Sequence, residues 1–176
     1  MQPLSGSSGV RKRLLPKEGA TLAPLAGEID IPSRAVLAYT SDDPDHPIEN
    51  LVDGHYGRCA TFWAGAKPNT TERIVVEFDQ PQSISCMIYD VEECSCERTQ
   101  EVRVEVSSDG ARTYRQVLVQ EYTFSPAGAT FQHEEQRLNL PLITHLRLTI
   151  VPDKHGSGAA KLNSLRLFAP ESRSDT

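Results

Sequence analysis

The stretch Glu101-Val102-Arg103-Val104-Glu105-Val106-Ser107, running straight into Ser108-Asp109-Gly110, decides the fold. Its three valines alternate with charged residues at a period of two. Such alternation turns one face of a strand to a core and the other to water, as in antiparallel sheets. Gly110 ends the strand, because glycine reaches the positive φ that a tight hairpin needs without steric cost.

The same period recurs outward from this stretch. Leu146, Leu148 and Ile150 alternate with Arg147 and Thr149, and Leu165 and Leu167 flank Arg166. Further strands are expected over 34–40, 72–79, 83–90, 114–120, 130–139 and 161–168, with turn residues between them. No segment carries a helical period for more than a turn or two. Eight or nine short strands in about 135 residues predict an all-β, antiparallel β-sandwich or barrel.

The chain has 176 residues, enough for one domain with tails. Lys and Arg number 18 against 24 Asp and Glu, a formal net charge of -6. That balance argues against nucleic acid or an anionic membrane surface as partner, since both need a cationic face. No run approaches the roughly 18 to 20 apolar residues of a membrane-spanning helix, so no membrane insertion is expected.

Residues 1–33 read as a flexible N-terminal tail, 34–169 as the sandwich and 170–176 as a short C-terminal tail. The tail holds Ser5-Gly-Ser-Ser-Gly9 and the basic triplet Arg11-Lys12-Arg13, which Leu14-Leu15 and Pro16 follow. A secretory signal needs about 7 to 15 apolar residues after its basic start, and this one lacks them. A cytoplasmic location with reduced thiols is therefore expected. Of the four cysteines, Cys86 alternates with Ile84 and Ile88 as a small core residue. Cys94-Ser95-Cys96 could grip a soft metal, yet structural zinc sites usually space paired cysteines further apart and need a second pair. Free or redox-sensitive thiols are the alternative.

The order of motifs resembles the discoidin, or coagulation-factor type C, domains, a family that includes the family 32 carbohydrate-binding modules. Asn50-Leu-Val-Asp53-Gly54 followed by Thr61-Phe62-Trp63 is similar to the family's opening signature. Arg73-Ile-Val-Val-Glu-Phe78 with Pro81 and Ile84, Val104-Glu-Val-Ser-Ser-Asp-Gly110 with Tyr114, His145-Leu-Arg-Leu148 and Leu162-Asn-Ser-Leu-Arg-Leu-Phe168 follow in the family's order. The resemblance covers about residues 34 to 169. It implies an eight-stranded jelly roll of the galactose-binding-domain-like type.

The resemblance also implies a structural calcium or sodium ion near the Asp-Gly loop. Carried over position by position, Asn50 and His55 would give carbonyls, Asp53 its carboxylate and Thr61 its carbonyl or hydroxyl. The family's last ligand is a Glu, and Ser164 stands there instead, which removes a carboxylate from a hard cation that wants six to eight oxygens. The other reading has Asp53 cap the turn by accepting from neighbouring backbone N–H groups.

Sugar recognition needs an aromatic face and a few polar groups held on loops. His46, Tyr56, Arg58, Phe124, Lys154 and His155 are the candidates, while Trp63, at a strand start, reads as a core plug. Catalytic machinery is not expected. Ser41, Asp45 and His46 belong to a polar, proline-held loop, and the adjacent Glu134 and Glu135 point to opposite faces of a strand. The expected function is a non-catalytic binding module for a galactoside-type glycan. The alternative is a protein-interaction or scaffold domain of the same fold, as the family serves in the Doc-type subunit of the anaphase-promoting complex.

Overall fold

The computed structural model describes residues 25–171, so the Ser-Gly run and the basic triplet lie outside the described residues. A single helical turn at Ile31–Arg34 leads into β1, Ala35–Tyr39. A 3₁₀ turn at Ile48–Leu51 precedes β2, Trp63–Ala64. Then come β3 (Glu72–Glu92), β4 (Arg98–Ser107), β5 (Arg115–Phe124), β6 (Phe131–Val151), β7 (Lys161–Leu162) and β8 (Ser164–Phe168). All ladders are antiparallel.

Two 21-residue strands build both layers. The first half of β3 pairs with β1 and with the second half of β6, which pairs in turn with β4, itself beside β5. The second half of β3 pairs with the first half of β6 and with β8. Between the halves the register slips three times from Glu77 to Cys86, and Leu142 takes a φ of 46°. Pro81 and Pro141 sit at these corners, where a missing backbone N–H is tolerated because the ladder is already interrupted. The predicted strands 72–79 and 83–90 are thus one bent strand, and so are 130–139 and the 146–150 run. The turn residues mark a bend that carries the chain from one layer to the other.

The alternation seen in the sequence fills the interlayer space. Val102, Val104 and Val106 are buried against Ile74, Val76, Leu146, Leu148 and Ile150 from one layer and Met87, Tyr89 and Leu167 from the other. Tyr89 also bonds Tyr122 of β5 through its hydroxyl, bridging the layers. Ile29 and Ile31 are buried in the same cluster, and the amide of Ile29 donates to Leu167 O at 2.8 Å. The folded unit therefore begins upstream of residue 34, where a tail was expected.

Five connections, 40–62, 65–71, 93–97, 125–130 and 152–160, meet at one end of the sandwich. Backbone hydrogen bonds tie them together: Glu93 N to Thr130 O at 2.8 Å, Gly65 N to Ala160 O at 2.9 Å and Asn69 N to Gly158 O at 2.9 Å.

Candidate functional site

A buried polar layer holds this loop end. Arg98, 2 % exposed, faces Glu93 at 3.1 Å and donates to the carbonyls of Pro152 (2.9 Å) and Ala159 (2.6 Å). It so braces the 93–97 and 152–160 connections against the start of β4. Gly158 lies against it, where a Cβ would stand 3.2 Å from Arg98 Cδ. Asp153 accepts from the amides of Thr99, His155 and Ser157 and from the Ser157 hydroxyl. Burial pushes its carboxyl up, but these four donors outweigh that and hold it well below the usual carboxylate range. Glu72 is buried beside Gly65 and accepts from the hydroxyls of Thr40 and Ser41. Trp63 is wholly buried and donates from its indole to Ser41 O at 3.2 Å.

Above this layer lies a group that water and ligands can reach. The His46 ring stacks on Phe62 with centroids 3.8 Å apart and planes 21° apart. The Lys161 ammonium stands 4.0 Å from the Phe62 centroid, at the cation–π distance. Burial pulls the Lys161 pKa down against the opposing field of Glu93. Beyond Glu92, whose carboxylate accepts from the Cys59 amide at 2.7 Å, a second pair repeats the theme: the Arg58 guanidinium lies over Phe131 at 4.9 Å. Arg58 also donates to Thr130 Oγ1 at 3.3 Å. An aromatic face, an imidazole and two cations on rigidly tied loops can stack on an apolar ring face and bond to polar groups around it.

The F5/8 type C domain model matches residues 36–164. The chain belongs to the F5/8 type C domain family. Among curated protein sequences none matches it. Solved structures with the same fold include the family 32 carbohydrate-binding module of C. perfringens NanJ in complex with galactose, at 14% identity and a TM-score of 0.58, covering 81% of this chain and 98% of that one. Another is CBM32-3 from a family 31 glycoside hydrolase of Clostridium perfringens, at 20% identity and a TM-score of 0.57, covering 84% and 100%. A third is CpGH89CBM32-5 from Clostridium perfringens in complex with GalNAc-β-1,3-galactose, at 18% identity and a TM-score of 0.58, covering 81% and 99%. These likenesses show a shared fold, the galactose-binding-domain-like jelly roll.

Within this F5/8 type C domain the residues expected to bind sugar fall in separate places. His46 is in the half-buried stack with Phe62, and Arg58 lies beyond Glu92. Tyr56 is elsewhere: its ring covers the Arg166 guanidinium at 4.2 Å, in a cleft of about 210 Å³ lined by Glu28, Val52, Asp53 and Leu165. Lys154 pairs with Glu121 and Glu101 on the outer face of the sheet, and His155 is 84% exposed in its side chain. Phe124 is not on a loop. It ends β5 paired with Arg98 and is 1% exposed, because the alternation that buries Tyr122 continues to the last residue of the strand. Sequence reasoning missed Phe62 and Lys161. The signal was the Thr61-Phe62-Trp63 triplet, since a core Trp63 turns its neighbour to the opposite face.

The expected cation ligands are engaged with protein groups. Asp53 accepts from His55 N at 2.9 Å and from the Thr61 hydroxyl at 2.6 Å, and it lies 3.2 Å from the His55 ring. Asn50 donates to Phe62 O at 2.8 Å. Ser164 donates to the buried carboxylate of Asp90 at 3.1 Å, which also receives Gly57 N and contacts His133. Among the described residues no three His, Cys, Asp or Glu side chains gather as a metal cluster. Cys86 is half-buried, with its thiol pKa raised by burial, whereas Cys59 and Cys94 are exposed. No described helix is long and apolar enough to cross a membrane.

Proposed function

We propose that this F5/8 type C domain is a non-catalytic carbohydrate-recognition module, taking a galactoside-type glycan at its loop end against His46, Phe62 and Lys161. The half-buried His46–Phe62 stack, with the Lys161 ammonium 4.0 Å from the Phe62 ring centre, carries the reading. Two solved modules of the same fold, described in complex with galactose and with GalNAc-β-1,3-galactose, support it. The non-catalytic role is supported by how the polar loop uses its groups. The Ser41 hydroxyl is committed to Glu72 and to the Ala66 amide, and His46 to the stack, so neither is poised on the other.

Calorimetric titration with galactose and lactose tests the reading, with Phe62→Ala as the site variant. Binding that is lost in Phe62→Ala is expected. No heat and no chemical-shift change at millimolar sugar would overturn it. A protein-interaction role for the same end is favoured by the two exposed, unpaired thiols, Cys59 and Cys94, and a stoichiometric protein partner recovered where sugars fail would establish it.

We also propose that the Asp53 loop is closed by hydrogen bonds in place of a calcium ion. Both Asp53 oxygens already accept protein donors, and Ser164 is turned to Asp90.

A further inference from the structure

The cations of the sandwich are unevenly matched. Arg98, Arg103, Arg147, Lys154 and Arg166 each have a carboxylate within 4.0 Å. Lys161, which is half-buried, and Arg58, which is exposed, stand over Phe62 and Phe131 and have no ion pair of that length among the described residues. The nearby carboxylates are committed elsewhere: Glu92 accepts from the Cys59 amide, and Glu93 accepts from Ser95 N at 2.8 Å and faces Arg98. Lys161 is partly buried by its neighbours, so its ammonium has lost part of its hydration without gaining an acceptor. A half-desolvated cation held over an aromatic ring is prepared for an anion brought by a ligand, because the cost of removing its water is already met by the fold.

We infer that the glycan taken at this end is acidic, with a carboxylate or sulfate group bonded to Lys161 while a sugar ring lies along the His46–Phe62 stack. This rests on the carbohydrate-recognition reading above and narrows it to one class of sugar. The net charge of -6 makes long-range attraction of an anion weak. Selectivity therefore comes from the short-range contact at Lys161, with Arg58 as a second cation beyond Glu92.

The test compares lactose with 3′-sialyllactose, 3′-sulfolactose and digalacturonic acid, by calorimetry, at low salt and at about 0.5 M salt. At least one acidic ligand is expected to bind about ten-fold more tightly than lactose. The advantage should shrink at high salt, disappear in Lys161→Met and survive in Lys161→Arg. Melting curves and Trp63 fluorescence show whether each variant is folded, and Lys161→Arg keeps the comparison open if Lys161→Met is not. Lactose binding as tightly as every acidic ligand would overturn the inference and leave carbohydrate recognition standing. An acid preference that persists in folded Lys161→Met would also overturn it. Binding of none of the four would overturn both.

Discussion

The Arg166 guanidinium on β8 grips the Glu28 carboxylate with two parallel hydrogen bonds, Nε to Oε1 at 2.8 Å and Nη2 to Oε2 at 2.9 Å. The two residues lie 138 positions apart, so one fork fastens the entry of the chain to its last strand. Tyr56 covers the guanidinium and brings the long β1–β2 connection into the same knot.

This pair makes stability depend on acid. The Arg166 hydrogen bond beside Glu28 holds its carboxyl below the usual carboxylate range, against the burial that would raise it. A group whose pKa is depressed in the folded state stabilises above its unfolded pKa and loses that contribution as pH falls through the folded value. Glu28→Gln should therefore lower stability at neutral pH by about 1–3 kcal/mol. It should also flatten the fall in melting temperature below about pH 4. Parallel melts of wild type and variant across pH 3 to 7, ranges set by ordinary carboxylate titration, check both (about four pH units).

Phe124→Ala should act on the core and not on ligand contact. Phe124 is buried beneath Tyr122, 6.4 Å between ring centroids. Truncation should cost about 3–5 kcal/mol in denaturant unfolding. Sugar affinity of the folded fraction should stay as in wild type, and a selective loss of affinity with unchanged stability would return Phe124 to the binding surface.

Gly65 and Gly158 give room to the buried charges. A Cβ at Gly65 would stand 2.8 Å from Glu72 Cγ. At Gly158 it would meet Arg98, in a backbone with φ +74° that side chains avoid. Either change to Ala should destabilise by about 1–3 kcal/mol, read as a lower denaturant midpoint at unchanged slope.

Calcium should leave the melting temperature unchanged, and so should EDTA. The Asp53 turn already has Thr61 and His55 N as donors. A rise of several degrees with saturating calcium would show an ion in the loop and remove the hydrogen-bonded account of it.

How much was legible follows from particular residues. The valines of 102–106 and the Leu146–Ile150 run announced their strands because side-chain alternation is a local property of an extended backbone. Pro81 and Pro141 announced interruptions, but whether a proline ends a strand or bends it between layers depends on what pairs beyond it, and that is not local. The same limit explains Phe124, set beside a turn in sequence and inside the core in space. It also explains Tyr56 and Arg58, two residues apart in sequence yet on separate parts of the surface.

The sequence by itself determined an antiparallel all-β sandwich of F5/8 type C motifs, since period-two patterning, turn glycines and motif order are written along the chain. Only the tertiary structure decided which loop residues meet. Lys161 over Phe62, His46 stacked on the same ring and Arg98 bracing two connections are contacts between distant segments. The physical reason is that stacking, ion pairing and desolvation depend on separation in space over a few ångströms, and folding sets that separation independently of distance along the chain.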